Sequence, residues 1–330
     1  FFPQLIAGPI VHHKEMLSQF SKDMTYKLRS SHISIGLTIF SIGLFKKVVL
    51  ADGVSVYATP VFDTAESEVL LTFFEAWGGV LAYTFQLYFD FSGYSDMAIG
   101  IARMFGIHLP VNFNSPYKAT SIIDFWKRWH ITLSCFLRDY LYFPLGGNRK
   151  GNARRHINIM ITMVLGGLWH GAGWTFVLWG CLHGFYLIIN HGWRTIFGSR
   201  EKTKNRSFWA WVVTFLAVTI AWVPFRAESI HGVENILGGM IGLHGYILPE
   251  SYLYYFNHLY DFGDYLVAVG WQFSDAGLFR GLGQILSFFL LILILAFLPN
   301  TQQIMRQFKI ESKDFKYKNT SIFSNRLSWQ

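Results

Sequence analysis

The chain has 330 residues, of which 52% are hydrophobic, 18% aromatic and only 15% charged. A soluble domain ordinarily carries about 25% charged residues, so too few remain here to coat a soluble globule of this size. The formal net charge of +8 is spread over short basic clusters between apolar runs. That is the pattern of cytoplasmic loops in bilayer proteins, so the expected partner is the lipid bilayer and not nucleic acid.

Length alone suggests about two soluble domains, but the apolar runs argue for a single membrane domain over residues 1–330. The two cysteines, Cys135 and Cys181, lie in apolar surroundings. A lone pair supplies neither a disulfide framework nor a zinc-ligand spacing, so packing is their expected role. The chain opens at Phe1-Phe2-Pro3 with no initiator Met, charged n-region or cleavage site, and its last stretch, Lys309 to Gln330, is polar. Both ends read as cut from a longer protein.

A bilayer core about 30 Å thick needs about 20 mostly apolar helical residues. In chain order, the first run that qualifies is Ser30 to Phe45, ending at a Lys46-Lys47 anchor and extendable through Val48 to Ala51. Val69 to Phe89 follows, interrupted only by Glu75, and leads into Asp90-Phe91-Ser92-Gly93-Tyr94-Ser95-Asp96. Met97 to Ile107 then continues apolar. From Asp124 to Leu145, apolar residues mix with Lys127, Arg128, His130, Arg138 and Asp139, which suits an interfacial or re-entrant helix.

Between Arg155 and Arg194 there is no acidic residue and no other Lys or Arg, which predicts two helices meeting at His170-Gly171-Ala172-Gly173 and the most deeply buried stretch of the chain. Ser207 to Phe225 and Gly281 to Pro299 are the remaining spans, the latter stopped at Pro299-Asn300. Residues from Ala227 to Asp275 read as an extramembrane loop with short interfacial helices. Tyr252, Tyr254, Tyr255 and Tyr260 there fit an aromatic belt.

The loop Asn148 to His156 carries Arg149, Lys150, Arg154 and Arg155 and favours the cytoplasm. Counted from Ile157, His170 then lies about 20 Å along its helix, deep in the hydrocarbon. Charging an imidazole there is expensive, so a neutral ring able to accept a proton is expected, as a general base requires. The flanking glycines let backbones or a ligand approach closely. The alternative is a histidine that only bonds a carbonyl freed by the glycine break.

His130 either lines an internal polar path or is a plain interfacial residue beside Trp126 and Trp129. Asp90, Ser92 and Asp96 either shape a polar cavity or supply a carboxylate paired with Arg103. A metal site joining His170 to His183 and His191 lacks a carboxylate or thiolate, so no metal is expected. No G-x-S-x-G, H-E-x-x-H, P-loop or G-x-G-x-x-G occurs. Buried His and Asp also mark transport pathways, although no inverted repeat is detectable. A scaffold that only recruits or supplies an extracytoplasmic transferase is the third reading.

Several strings together carry a resemblance: Phe2-Pro3-Gln4-Leu5-Ile6-Ala7-Gly8-Pro9, Gln86 to Asp96, Asn112-Phe113-Asn114-Ser115-Pro116-Tyr117, Phe125 to His130, Arg138 to Gly147, Trp169-His170-Gly171-Ala172, and more weakly Trp222 to Ala227 and Pro299 to Gln302. The chain resembles the membrane-bound O-acyltransferase family, in the bacterial branch that holds alginate O-acetylase and peptidoglycan O-acetylation proteins. The resemblance implies an all-α polytopic bundle with interfacial and re-entrant helices around a central tunnel, without the family's helices that precede the Phe-Pro string. It further implies His170 and His130 as catalytic histidines, with Asp90, Ser92, Asp96, Asn114, Trp126, Arg128 and Trp169 on the substrate path. Acetyl-CoA as acyl donor without a bound cofactor, an extracytoplasmic O-acetyltransferase partner, an exported polysaccharide acceptor and a multi-pass place in the bacterial inner membrane complete the implied picture.

Overall fold

An apolar run without water to satisfy its peptide groups must close its hydrogen bonds within itself, and this chain does so almost wholly as helix. The computed structural model describes residues 8–11, 13–21, 25, 27–198, 204–258 and 262–308. Tyr260, Lys309 to Gln330 and most of the first string above lie outside them. After α1 (His13–Phe20), α2 (Ser30–Phe45) does not stop at the two lysines. It continues through a π-helical turn, Lys46–Ala51, into α3 (Asp52–Ala65), giving 36 residues of uninterrupted helix.

The expected anchor is thus a mid-helix feature, and the reason is lateral neutralisation. Lys46 Nζ meets Asp96 Oδ2 at 2.6 Å, while Lys47 Nζ lies 2.7 Å from Asp52 and 2.6 Å from Asp90. Those aspartates pair with the lysines and not with Arg103, which instead bonds the His108 ring.

Helix α4 (Phe73–Met104) receives these pairs and runs unbroken through the polar string, so the two apolar stretches around it form one 32-residue helix. Glu75 reaches back to the Thr72 amide at 2.9 Å and closes its N-terminus. The α2 and α4 backbones touch through glycines. A Cβ on Gly36 would sit 2.5 Å from the Gly100 carbonyl, and one on Gly43 would sit 2.6 Å from the Gly93 carbonyl, with reciprocal contacts of 2.6 and 2.7 Å. Small residues that let backbones meet are the usual seam between membrane helices.

The chain then breaks into short pieces: a 3-10 turn (Pro116–Lys118), α5 (Ile122–Trp126), α6 (Ile131–Leu137) and a π-helical turn (Arg138–Tyr142). A helical hairpin follows, α7 (Gly151–His170) and α8 (Trp174–Phe197), turning at Gly171-Ala172-Gly173 as the sequence predicts. This hairpin is not the most buried part. Leu165, Leu168, Trp169, Trp174, Phe185, Ile189 and Trp193 face outward, whereas α4 is buried along most of its length. Apolar residues surround α7 and α8 because their outer faces meet a nonpolar exterior, not because protein encloses them.

Helix α9 (Lys204–Arg226) follows, then α10 (Ile230–Met240), β1 (Ile247–Leu248), α11 (Glu250–Asn257), α12 (Phe262–Ala268) and β2 (Gln272–Phe273), and the two strands pair in parallel. The short helices expected in this stretch are present, and α10 is packed into the body of the protein. Asn235 on α10 takes the Leu71 amide on its Oδ1 at 3.0 Å and donates to the Val69 carbonyl at 2.8 Å, while Val233 and Ile236 enter the core. Tyr254 and Tyr255 are exposed and Tyr252 half-buried. α13 (Leu282–Phe297), α14 (Thr301–Ile304) and a 3-10 turn (Arg306–Phe308) complete the described chain. By length and composition, Ser30–Ala65 and Ser207–Arg226 are apolar enough to cross a membrane, and α13 is a shorter apolar helix.

Overpacking a tight backbone contact costs about 1–3 kcal/mol, so Gly100→Leu is expected to lower the thermal unfolding midpoint in detergent. Gly192→Ala, where an added Cβ meets nothing within 4 Å, should be neutral or stabilising. Equal behaviour of the two variants would refute the seam.

Candidate active site

His170 ends α7, where the glycine turn stops the helix. Its half-buried ring is enclosed by aromatic neighbours: Trp169 at 5.0 Å, Phe225 at 5.0 Å, Trp179 at 5.3 Å and Phe176 at 6.4 Å between centroids. The hairpin that carries it is closed through glycine. A Cβ on Gly167 would collide with the Phe176 carbonyl, and one on Gly180 would lie 2.5 Å from the Met163 carbonyl. Of the glycines flanking His170 in sequence, Gly167 therefore serves helix-to-helix approach, while Gly171 lies against the Phe176 ring.

His130 is buried and adopts a left-handed backbone, φ 41° and ψ 56°, at the start of α6. A non-glycine residue in that region costs about 1–2 kcal/mol, and two backbone bonds to a segment running antiparallel beside it hold it there. The Asn114 amide donates to the Arg128 carbonyl at 2.9 Å, and the Ile131 amide donates to the Asn112 carbonyl at 2.9 Å. The ring packs edge-on to Phe91 at 4.8 Å and lies 6.3 Å from Phe113.

Its orientation is set by Asn112. The Asn112 Oδ1 accepts the Thr132 amide at 3.3 Å, the Thr132 hydroxyl at 2.9 Å and His130 Nδ1 at 3.1 Å. The Ile10 amide donates to the same Thr132 Oγ1 at 3.0 Å, which leaves that hydroxyl's proton for Asn112. An oxygen bonded to a backbone N–H is an acceptor, so His130 Nδ1 carries the proton. Nε2 then keeps its lone pair. The two imidazoles, 40 positions apart in the chain, are joined by a run of ring contacts: His130 to Phe113 at 6.3 Å, Phe113 to Trp129 at 5.0 Å, Trp129 to Trp222 at 4.9 Å, Trp222 to Phe225 at 5.4 Å and Phe225 to His170 at 5.0 Å.

The other expected residues divide into two groups. Trp169 is at the site, and Trp126 joins it indirectly: its Nε1 donates to His183 Nδ1 at 3.3 Å, and His183 packs 4.9 Å from Trp179. Ser92 is buried on α4 next to Phe91, the ring that abuts His130. Asp90 and Asp96, by contrast, serve the lysine pairs, and Asp96 also accepts the hydroxyl of Thr301 at 2.5 Å. Asn114 accepts Asn300 Nδ2 at 3.0 Å, and Arg128 bonds Asp124 at 3.0 Å.

Sequence reasoning missed Asn112, Trp179, Trp222 and Phe225. Trp179 shares an i, i+4 face of α8 with His183, a spacing visible beforehand. Trp179 Nε1 and His183 Nε2 are buried donors that meet no acceptor among the described residues. No group of three His, Cys, Asp or Glu side chains that could hold a metal occurs among the described residues.

A histidine enclosed by aromatic rings at the turn of an apolar helical hairpin, with a second one buried at the start of α6, agrees with the sequence comparisons. The profile of MBOAT, the membrane-bound O-acyltransferase family, matches residues 1–227. The chain belongs to the membrane-bound O-acyltransferase family. Over 245 residues it is 53% identical to a peptidoglycan O-acetyltransferase of Helicobacter pylori, covering 74% of this chain and 46% of that one. Over 249 residues it is 45% identical to a probable alginate O-acetylase AlgI of Pseudomonas putida, covering 76% and 49%. A teichoic acid D-alanyltransferase of Bacillus subtilis is 26% identical over 251 residues, covering 70% and 60%. The matched part of this membrane-bound O-acyltransferase chain spans about half the length of the first two of these curated relatives.

Replacing Asn112 by Leu strands buried donors on His130 and Thr132, each costing about 1–3 kcal/mol. Asn112→Leu is therefore expected to lower stability markedly in thermal unfolding of the full-length protein, while Asn112→Asp, which keeps an acceptor, loses less. Equal losses would remove Asn112 from its orienting role.

Proposed function

We propose that this chain is the core of a multi-pass inner-membrane O-acyltransferase, a single membrane domain with a tunnel in which an acyl group passes from a cytoplasmic thioester to a hydroxyl of an exported polysaccharide. The observation that carries this reading is the run of ring contacts that links His130, through Phe113, Trp129, Trp222 and Phe225, to His170 in a chain of this family. The relatives' names, peptidoglycan O-acetyltransferase and probable alginate O-acetylase, support acetyl as the group and a polysaccharide as the acceptor. Acetyl-CoA is the donor that fits a cytoplasmic thioester, and a separate extracytoplasmic transferase would complete delivery to the polymer.

In the proposed step the neutral His170 imidazole takes the proton of the acceptor hydroxyl as its oxygen attacks the thioester carbonyl. The tetrahedral intermediate collapses by expelling the thiolate, which recovers the proton from the imidazolium, so the ring ends as it began. A positioned general base contributes about 10²–10⁴-fold. His130, its Nδ1 donating to Asn112 and its Nε2 available as an acceptor, serves as a positioning or assisting group. Trp179 Nε1 and His183 Nε2 offer hydrogen-bonding capacity of the kind that a carbonyl oxygen gaining negative charge would use.

In cells expressing the full-length protein, His170→Ala is expected to reduce the acetate content of the exported polymer to background while the protein still inserts. Normal acetylation would overturn the assignment. Asn tolerates the left-handed backbone better than most residues, so His130→Asn should hold stability within about 1–2 kcal/mol and still lower acetylation. If activity survives that change, His130 is structural.

A further inference from the structure

Helix α13 touches the body of the protein along a narrow line. Gln284, Phe288 and Leu291 are its buried residues, and Phe288 packs against Tyr57 and Phe85 at 6.1 and 5.8 Å. A crevice opens beside this line on each flank. One, of about 200 Å³, is lined by Ile42, Phe45, Leu50, Phe89, Ile294 and Leu298 among others. The second, of about 380 Å³, is lined by Phe85, Phe208, Trp211, Phe215, Ile292 and Ala296 among others. Both are overwhelmingly apolar, and each exceeds the roughly 150 Å³ that suffices to hold a benzene-sized hydrocarbon.

The crevices share three residues, Tyr117, Lys118 and Leu295. Lys118 stands where they meet. Its Nζ donates to the Leu298 carbonyl at 3.3 Å, and no carboxylate pairs with it among the described residues. Thr120 and Ser207 add hydroxyls to the wall of the larger crevice. Trp211 is fixed beside them by its Nε1, which donates to the Tyr117 carbonyl at 2.7 Å. Neither crevice is lined by His130 or His170.

Two apolar slots that diverge from one unneutralised cation are complementary to a molecule with two hydrocarbon chains and one anionic head. We infer that α13 is seated on a bound diacyl phospholipid, with one chain in each crevice and the phosphate on Lys118. The leaflet follows from the fold. Arg194, near the end of α8, donates to the Ser121 hydroxyl at 3.4 Å, and α8 returns towards the start of α7, where Arg149, Lys150, Arg154 and Arg155 cluster. Residues 117–121 therefore lie at the basic end of the bundle, the end that meets the anionic cytoplasmic leaflet under the orientation proposed above.

The inference concerns a lipid site and is independent of acyl transfer, so its failure leaves the catalytic reading intact. The test uses the full-length protein, exchanged into mixed micelles containing phosphatidylglycerol or phosphatidylcholine, with retained lipid counted by native mass spectrometry. Wild type should retain phosphatidylglycerol about fivefold over phosphatidylcholine, the discrimination one basic residue near a membrane surface supplies. Lys118→Glu should lose or invert that preference while still holding lipid. Leu295→Trp, which obstructs both slots, should lose retention altogether. Glycerol phosphate in solution should not raise the unfolding temperature, whereas phosphatidylglycerol should. No retained lipid in wild type, unchanged preference in Lys118→Glu, unchanged retention in Leu295→Trp, or equal stabilisation by glycerol phosphate would each overturn the proposal.

Discussion

Backbone-to-backbone contact through glycine is the constraint on which the rest of this structure depends. Between apolar helices surrounded by an apolar exterior, burial of hydrophobic surface gives little drive, so close packing and hydrogen bonds must hold the bundle. Gly36 and Gly43 meet Gly100 and Gly93 across the α2–α4 crossing, and Gly167 and Gly180 close the α7–α8 hairpin. The first seam sets α4 as the axis of the fold. The second delivers His170 to the aromatic enclosure formed with Trp179 and Phe225.

Polar groups inside this framework are few and mostly spoken for. Lys46, Asp96, Thr301 and Gln302 form one network that ties the start of α14 to the middle of two long helices. Ion pairs so deeply enclosed are costly to break on one side only, which makes the network a lock on the position of the chain after α13. The Asn112 amide plays a comparable part on the other side of α4, gathering donors from His130 and Thr132 so that one imidazole tautomer is selected. Site and scaffold thus share α4, through Phe91 on one face and Asp96 on another.

The elements that were misread share a cause. Lys46-Lys47 looked like the end of a span because an unpaired lysine seeks the headgroups, but both find carboxylates on α4 and the helix continues. The Arg155 to Arg194 run looked most buried because it lacks charge, yet a helix facing lipid tails and one facing protein have the same composition. Asp90 and Asp96 read as partners for Arg103, and helical periodicity turns them towards the lysines instead. Asn112 was overlooked beside Asn114, since nothing in the spacing distinguishes the one that faces His130 from the one that faces Asn300.

By itself, the sequence determined the helical class, the apolar hairpin broken at His170 and the two histidines worth singling out, because composition, glycine placement and charge depletion are local properties. The membership of the acyltransferase family was legible for the same reason, in contiguous strings. Which partners neutralise each charge, which asparagine orients His130, how Trp179 and Phe225 come to surround His170, and where crevices open beside α13 were decided only by tertiary structure. Each depends on the relative rotation of helices far apart in the chain, and that rotation is set by packing that no single segment contains.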